Sequence, residues 1–171
     1  AAMMAQAYSR LQQRPGVCMA ASGPATINLS TGLANALIDC CPVVALGGAG
    51  PVSGYGRQVF QEIDQMEIMS GCVKYAARVH DARRIPEMLN VAMQRAMSGK
   101  PGPVYLDLPG DVLYQMVDED KIDWSPSERP ILGARPPAPQ AQIDELAAAL
   151  AKAERPVLLS GSGVIWSQAW E

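Results

Sequence analysis

Val43-Val44-Ala45-Leu46, followed at once by Gly47-Gly48, is the stretch that decides the fold class. Four consecutive apolar residues make a short strand, and a strand without polar alternation is typical of a parallel sheet with both faces covered. A second run of this kind, Val104-Tyr105-Leu106-Asp107-Leu108, ends at Pro109-Gly110. The two runs predict strands buried between layers of helices.

Helical patterns alternate with the predicted strands. The chain opens with a helix whose apolar face carries Met4, Tyr8 and Leu11, at helical spacing. Further strands are predicted at 17–21 and 74–79, each followed by a helix, and a polar helical segment is predicted at 61–69. The two later apolar stripes are Leu29, Leu33, Ala36 and Leu37, and Ile85, Met88, Leu89, Ala92, Met93 and Ala96. This alternation predicts βαβ units and an α/β fold with a parallel sheet.

The composition changes near Val117. The following residues are acidic and then rich in proline, which is typical of a semi-rigid linker. Beyond them, a helix face with Ile143 and Leu146 precedes a predicted strand at 156–159. We therefore predict a domain over 1–117, a linker over 118–140 and the truncated start of a second α/β domain over 141–171. Because the chain does not begin with methionine and stops soon after this new unit begins, we expect a fragment.

Composition and charge exclude several classes of protein. The 14 Lys and Arg residues against 17 Asp and Glu give a formal charge of −3, which argues against a nucleic-acid partner. No apolar run approaches the roughly 20 residues of a membrane span. The four cysteines lie in apolar stretches without CxxC spacing, so we expect buried free thiols and a cytoplasmic protein.

Common catalytic motifs are missing. The single histidine, His80, lies between a predicted strand and a helix, a position typical of an ordinary loop residue. There is no phosphate-binding GxxxxGK[ST] loop, and Gly54-Tyr55-Gly56 lacks the third glycine of a dinucleotide fingerprint. Serine hydrolase, histidine-metal and phosphoryl-transfer chemistry are therefore disfavoured.

Two stretches contain residues that favour a binding or catalytic role over a purely structural one. Ser22-Gly23-Pro24-Ala25-Thr26-Ile27-Asn28 links a strand to a helix, where small residues let a flat ligand approach the backbone. The alternative is an ordinary helix start capped by Ser22 or Thr26. A glycine-rich loop is predicted from Gly47 to Gly56, and Phe60-Gln61-Glu62-Ile63-Asp64 places a ring, an amide and a carboxylate after it. Its alternative is a helix start with Phe60 in the core.

A third stretch, residues 98–109, joins a helix to a strand by a turn rich in glycine and proline. A helix stop followed by a buried strand explains the glycines and prolines. It does not explain why Lys100 lies in the turn.

In this order and at these separations, the three stretches resemble the pyrimidine-binding domain of thiamin-diphosphate enzymes, in the acetolactate synthase-like group. That group also contains oxalyl-CoA decarboxylase and 2-hydroxyacyl-CoA lyase. The resemblance is dense over 1–117 and continues over 142–164 into the family's central domain. It implies a flavodoxin-like parallel sheet flanked by helices, thiamin diphosphate and Mg²⁺ as cofactors, and a decarboxylase or carboligase that makes or breaks a C–C bond next to a carbonyl.

The resemblance places two parts of the family's machinery outside this sequence. The glutamate that hydrogen-bonds the aminopyrimidine ring belongs to a His-Glu-Gln segment upstream of Ala1. The Mg²⁺ and diphosphate site belongs to a C-terminal domain, so no metal ligands are expected here. The chain alone is therefore expected to be inactive.

The resemblance also assigns roles to residues of the first two stretches. The residues that would line the pyrimidine slot are Ser22, Gly23, Pro24 and Asn28, with Ala25 in place of a second glycine. Gln61 and Phe60 would border the reacting carbons in a neighbouring subunit's site. The neutral amide of Gln61 suits a hydrogen bond to a developing alkoxide, and the ring of Phe60 would exclude water.

Three further residues resemble nucleotide-facing positions of the family. Lys100 stands where many members carry an arginine that contacts FAD, ADP or CoA, and lysine keeps the charge but loses the planar fork. Gly161 and Gly163 resemble the nucleotide-facing loop of the central domain, with an ordinary turn as the alternative. The resemblance therefore makes FAD or ADP a candidate for an additional ligand.

The resemblance leaves the substrate open. Gly110 stands where acetolactate synthases usually have lysine, which weighs against a typical synthase. Gly47-Gly48 is closer to the acyl-CoA lyases, whereas Pro51-Val52-Ser53 is closer to the synthases. An acetolactate synthase-like enzyme acting on a 2-oxo acid is the leading interpretation, and a 2-hydroxyacyl-CoA lyase or oxalyl-CoA decarboxylase is the alternative. A non-catalytic flavodoxin-like nucleotide-binding domain and a structural paralogue are the rivals from other classes.

A homodimer or tetramer is implied by the resemblance, because family members form each active site between two subunits.

Overall fold

The computed structural model describes residues 1–128 and 137–169. The chain divides into two compact units, Ala1–Gly133 and Ala134–Glu171. All four strands of the described residues lie in the first unit.

Helices and strands alternate along the first unit, as the sequence predicts. The strands are β1 (Gly16–Ala20), β2 (Val43–Ala49), β3 (Tyr75–Arg78) and β4 (Val104–Pro109). The helices are α1 (Ala2–Gln12), α2 (Pro24–Ile27), α3 (Ser30–Ile38), α4 (Gln65–Ser70), α5 (Ile85–Met97) and α6 (Gly110–Leu113). Short 3₁₀ turns lie at Val52–Gly54, Ala82–Arg84, Glu119–Lys121 and Ser125–Glu128.

The four strands form one parallel sheet in the order β1-β2-β4-β3. The predicted α/β fold with a parallel sheet is therefore confirmed. β2 and β4 occupy the centre, where Val44 pairs with Val104. Both are fully buried, which explains why these two strands have the uninterrupted apolar sequences that decide the fold.

The core lies between β2, β4 and α5. Val44, Val104 and Leu106 contribute from the sheet, and Ala92 and Ala96 from α5. Their relative exposure is 0%, and the predicted stripe of α5 therefore faces the sheet. The small alanines let the helix approach the sheet closely, while larger side chains of the same stripe, such as Met88 and Leu89, pack at the margin.

The predicted apolar face of α1 is wrong. Met4, Tyr8 and Leu11 are exposed, by 71%, 44% and 82%, and the buried face consists of Ala2, Ala5, Gln6 and Ser9. The helix packs so closely on its neighbours that a Cβ on Gly32 would lie 2.6 Å from the Cβ of Ala2. Because only small residues fit at that distance, the larger apolar side chains point outward.

Two other helices begin or divide at positions that the sequence pattern does not predict. The helix after β1 is broken at Asn28 into α2 and α3, although Leu29, Leu33 and Ala36 are buried as predicted. The polar segment predicted at 61–69 becomes helical only at Gln65. Phe60 is 86% exposed, so the alternative in which it fills the core at a helix start is wrong.

The second unit contains α7 (Gln140–Lys152) and α8 (Ser162–Ser167). No residue of α7 is buried, although its helical pattern is confirmed. The strand predicted at 156–159 is wrong. Val157 and Leu159 are 92% and 99% exposed, because an apolar run becomes a strand only beside a partner that accepts its backbone hydrogen bonds.

All four cysteines are free thiols, as expected. Cys18 and Cys41 are buried, whereas Cys40 and Cys72 are half-buried. Burial, together with a hydrogen bond to Asp39, raises the pKa of Cys41 to about 11. In the described ranges, no helix has the length and apolar character needed to cross a membrane.

Candidate functional site

The first two sequence-predicted stretches meet at the carboxyl edge of the sheet. β1 leads into the turn 22–28, and β2 leads into the segment 50–64. The two strands end side by side, with Ala20 paired to Gly47. Ligands of open α/β sheets bind in the crevice outside this edge. The two stretches therefore lie at the edge of the sheet where a ligand is expected to bind.

Gly23 is a point of close contact between the two stretches. Its φ of 63° lies in the left-handed region, which disfavours every residue with a side chain. A Cβ at this position would clash with the backbone oxygen of Gln61 and lie 2.9 Å from the Cβ of Gln61. The neighbouring Ser22 hydroxyl donates to Oε1 of Gln61 at 3.0 Å. The structure thus brings Ser22, Gly23 and Gln61 together.

The remaining slot residues of the turn face outward. Pro24 and Asn28 are exposed, and Ala25 is half-buried. Thr26 is fully buried, and its hydroxyl donates to the carbonyl of Ala21 at 2.8 Å. The turn is therefore anchored from beneath by Thr26, while its outer surface carries only uncharged groups.

The segment containing Phe60 and Gln61 is a turn held by a carboxylate. Glu62 accepts hydrogen bonds from the backbone N–H groups of Gly56 and Val59, the second at 3.0 Å. Gln61 has a φ of 60°, an uncommon conformation for a residue other than glycine. The ring of Phe60 projects into solvent, and Gln61 is half-buried.

A buried polar cluster beneath the turn was not identified from the sequence. Gln65 is 1% exposed, and its Oε1 accepts from the backbone N–H of Gly23 at 2.9 Å. Its Nε2 lies 2.7 Å from the carbonyl oxygen of Gly48. The same nitrogen lies 2.7 Å from the Tyr105 hydroxyl and 2.6 Å from Oδ1 of Asp107. Gln65 thus joins the turn to both central strands.

The Asp107 carboxylate forms an ion pair with Arg78 and accepts a hydrogen bond from Tyr105. Its Oδ2 lies 2.5 Å from Nε of Arg78 on β3, and its Oδ1 accepts from the Tyr105 hydroxyl at 2.6 Å. Burial first, and then the bond to Asp107, raises the pKa of Tyr105, so the phenol remains a donor. The Arg78 guanidinium also lies 5.7 Å from the centroid of the Tyr55 ring.

Gly47 makes room for this cluster. A Cβ there would clash with the Tyr105 hydroxyl and lie 2.8 Å from Oγ1 of Thr26. The sequence interpretation placed this glycine in a loop, but it lies within β2. The available signal was Tyr105 and Asp107 inside an otherwise apolar strand, because polar groups at buried positions need hydrogen-bond partners.

Three predicted nucleotide-facing residues do not join this cluster. Lys100 lies in the turn before β4 and is exposed, at the amino edge of the parallel sheet, opposite the turn 22–28. Its carbonyl oxygen accepts from Nζ of Lys74 at 2.6 Å. Gly161 and Gly163 belong to the second unit, and among the described residues no heavy atom lies within 4 Å of a Cβ added to either glycine.

Asp111, just after β4, is occupied by hydrogen bonds within the protein. Asp111 on α6 accepts from the backbone N–H groups of Val52 and Ser53 at 3.1 and 3.2 Å. Partial desolvation opposes these bonds, yet they hold the pKa of Asp111 below its ordinary value. His80 is exposed. Across residues 1–128 and 137–169, no group of three or more His, Cys, Asp or Glu side chains is placed to hold a metal ion.

This geometry agrees with a comparison to known families. Residues 1–68 match the family described as "Thiamine pyrophosphate enzyme, N-terminal TPP binding domain". The predicted resemblance is confirmed, and the matched region contains the turn 22–28, Phe60, Gln61 and Gln65.

The whole chain is similar to curated proteins of two kinds. It is 36% identical to a 2-hydroxyacyl-CoA lyase of Arabidopsis thaliana over 172 positions, covering 96% of this chain and 29% of that protein. It is 38% identical to a probable acetolactate synthase large subunit of Methanocaldococcus jannaschii over 173 positions, covering 100% and 29%. It is also 38% identical to the acetolactate synthase isozyme 2 large subunit of Escherichia coli over 170 positions, covering 99% and 30%. The chain spans about three tenths of the length of these relatives.

Proposed function

We propose that this chain is the N-terminal part of a thiamin-diphosphate-dependent enzyme that makes or breaks a C–C bond next to a carbonyl. The observation that carries the proposal is the junction between Gly23 and Gln61. Two stretches that the family match includes are locked together at the carboxyl edge of the sheet. This is the edge at which ligands of such sheets bind.

The residues of the turn suit the aminopyrimidine ring of the cofactor. The turn 22–28 contains no charged side chain, and an exposed Pro24 offers a flat apolar surface. The ring is neutral and planar, so an uncharged wall with backbone polar groups is an appropriate surface for it. Ser22, Gly23, Pro24 and Asn28 are the residues that would hold the ring.

Phe60 and Gln61 are proposed to act on the substrate. When bound, thiamin diphosphate supplies a nucleophilic carbon and an electron sink for C–C cleavage. The amide of Gln61 orients or stabilises a developing oxyanion without adding charge, and its side chain is already fixed by Ser22. Phe60 excludes water once a neighbouring subunit covers its exposed ring, which requires a homodimer or tetramer.

Other features of the proposed holoenzyme lie partly outside the described site. We place the Mg²⁺ site in a C-terminal domain beyond this chain, and we propose Lys100, Gly161 and Gly163 as contacts for FAD or ADP. The exposed Lys100 supports such a contact, because its ammonium remains available while its backbone is fixed by Lys74. A cytoplasmic location is proposed from the four free thiols.

Two substrate classes remain in competition. An acetolactate synthase-like reaction joins 2-oxo acids, whereas a 2-hydroxyacyl-CoA lyase or oxalyl-CoA decarboxylase acts on a CoA thioester. The relatives of both kinds match at similar identity, and Gly110 weighs against a typical synthase. We take the acetolactate synthase-like reaction as the first candidate and the CoA-dependent reaction as the second.

The test uses the full-length protein that contains this chain. Calorimetry with thiamin diphosphate and Mg²⁺ should show saturable binding. Acetolactate formed from pyruvate supports the first candidate, and an aldehyde or ketone with formyl-CoA formed from a 2-hydroxyacyl-CoA supports the second. Release of CO₂ from oxalyl-CoA likewise supports the second. Failure to bind thiamin diphosphate would falsify the proposal as a whole.

A further inference from the structure

We propose that Gln65 is a positioning residue that preforms the pyrimidine slot by holding the Gly23 backbone amide. This inference rests on the proposed function. Gln65 is the first residue of α4 and is almost completely buried. Its side chain spans the space between the turn and the two central strands.

The orientation of the Gln65 amide follows from its neighbours. Gly23 presents an N–H group, so Oε1 must face it, and the bond is 2.9 Å long. Gly48 presents a carbonyl oxygen and Asp107 a carboxylate oxygen, so Nε2 must face them, at 2.7 and 2.6 Å. Only a side chain with one acceptor and two donors satisfies this arrangement.

The Gln65 side chain restrains the backbone of Gly23 in the turn; we call this hydrogen bond the tether. Gly23 has a backbone conformation that an unrestrained chain populates among several others. Its carbonyl oxygen accepts from the N–H of Ile27, while its own N–H is held by the Gln65 side chain. Because Gln65 also bonds to Asp107 and Gly48, it fixes the position of the turn relative to the two central strands.

The Asp107 carboxylate keeps Gln65 in place from below. Asp107 is fully buried, and Arg78 balances its charge at 2.5 Å. The titratable and charged groups around position 65 are therefore Asp107, Tyr105 and Arg78, together with the exposed neighbour Asp64. A carboxylate at position 65 would face Asp107 directly, and this makes Gln65→Glu an informative variant.

The first measurement is the affinity of the full-length protein for thiamin diphosphate, with saturating Mg²⁺, by calorimetry. Gln65→Leu removes both functions of the amide, and we expect the dissociation constant to rise roughly five- to thirtyfold, the range of one buried hydrogen bond. Gln12→Glu, at the exposed end of α1, is the control and should leave affinity unchanged. An unchanged affinity in Gln65→Leu overturns the inference.

The second measurement is the pH dependence of Gln65→Glu. At pH 8, the ionised carboxylate introduced at position 65 repels Asp107 and cannot donate to Gly48, so binding should be weaker than in the wild type. As the pH falls to 6, the buried carboxyl takes up a proton and regains one donor. The ratio of variant to wild-type dissociation constants should therefore decrease. A ratio that stays constant with pH contradicts the assigned orientation.

The third measurement needs no cofactor. Hydrogen exchange of the cofactor-free wild type should show the Gly23 amide protected, and Gln65→Leu should accelerate its exchange about tenfold or more. The amides of β2 and β4 report whether the fold is intact. Rapid exchange of Gly23 in a folded wild type overturns the inference.

These outcomes separate the two proposals. A protected Gly23 in a wild type that does not bind thiamin diphosphate shows the tether but removes the proposed function, and with it the role of the slot. Wild-type binding with no effect of either Gln65 variant removes the inference alone.

Discussion

The two sides of the candidate site differ sharply although they lie only a few residues apart in the chain. Gln65 is 1% exposed and belongs to a cluster that extends to the sheet, whereas Phe60 is 86% exposed. Ser22 and Gln61 connect the two sides through one hydrogen bond. The comparison indicates that the buried side fixes the shape of the site and that the open side supplies groups for a ligand or a second subunit.

The largest expected effect comes from removing the charge at the centre of the buried side. Asp107→Ala leaves Arg78, Tyr105 and Gln65 without their shared acceptor, and we expect a loss of about 3–5 kcal/mol in the free energy of unfolding. Chemical denaturation of the full-length protein measures it. Asp111→Ala, on the open side, should lower the free energy of unfolding by less than about 1 kcal/mol. Equal losses in the two variants would contradict the distinction between the sides.

The second prediction concerns Gly23, where the two sides touch. Gly23→Ala introduces backbone strain at a φ of 63° and a clash with Gln61, and we expect a loss of about 3 kcal/mol in the free energy of unfolding. Gly56→Ala is the matched control, because the φ of Gly56 is 76° but no heavy atom in the described part of the chain lies within 4 Å of an added Cβ. The control should show only the strain, about 1 kcal/mol. If both variants lose the same amount, the close contact with Gln61 has no energetic consequence.

The third prediction concerns the open side. Phe60→Ala should change the free energy of unfolding by less than about 0.5 kcal/mol, because the ring is exposed. It should nevertheless lower kcat/KM of the full-length enzyme about tenfold, which corresponds to about 1.4 kcal/mol. Tyr8→Ala on α1 removes another exposed ring and serves as the control. A stability loss without an activity loss would assign Phe60 to the structure of the open side.

The smallest effect concerns the hydrogen bonds by which Asp111 holds the backbone of Val52 and Ser53. The pKa of Asp111 is lower in the folded protein, so its stabilising contribution is present above its unfolded pKa of about 3.9 and is lost as the pH falls through the folded pKa. Asp111→Asn should accelerate exchange of the Val52 and Ser53 amides at pH 7, by less than about fivefold. The ratio of variant to wild-type rates should fall toward one as the pH is lowered below about 3.9. A ratio independent of pH would show that the charge of Asp111 is not involved.

Much of the fold could be predicted because local sequence reports it directly. The runs at 43–46 and 104–108 specify the central strands, and the stripe with Ala92 and Ala96 specifies the face of α5. The similar apolar run at 157–159 does not become a strand. The difference is the presence of neighbouring strands, which the run itself does not encode.

The candidate site could be predicted only in part. The turn 22–28 and the Phe60-Gln61 pair were identified, and the structure brings Ser22, Gly23 and Gln61 into contact. The cluster of Gln65, Tyr105 and Asp107 was missed, because a glutamine after an exposed turn and an aspartate in a strand have no local pattern that pairs them. Gln65 and Asp107 are 42 residues apart in the chain.

The sequence by itself determined the alternation of helices and strands and the parallel sheet, because these depend on side-chain periodicity. The tertiary structure alone decided that α1 buries its small residues and exposes Met4 and Leu11. It also decided that Gln65 ties the turn to the sheet. Both outcomes depend on which surfaces approach each other and how closely, and distance in space is not a property of any single stretch of chain.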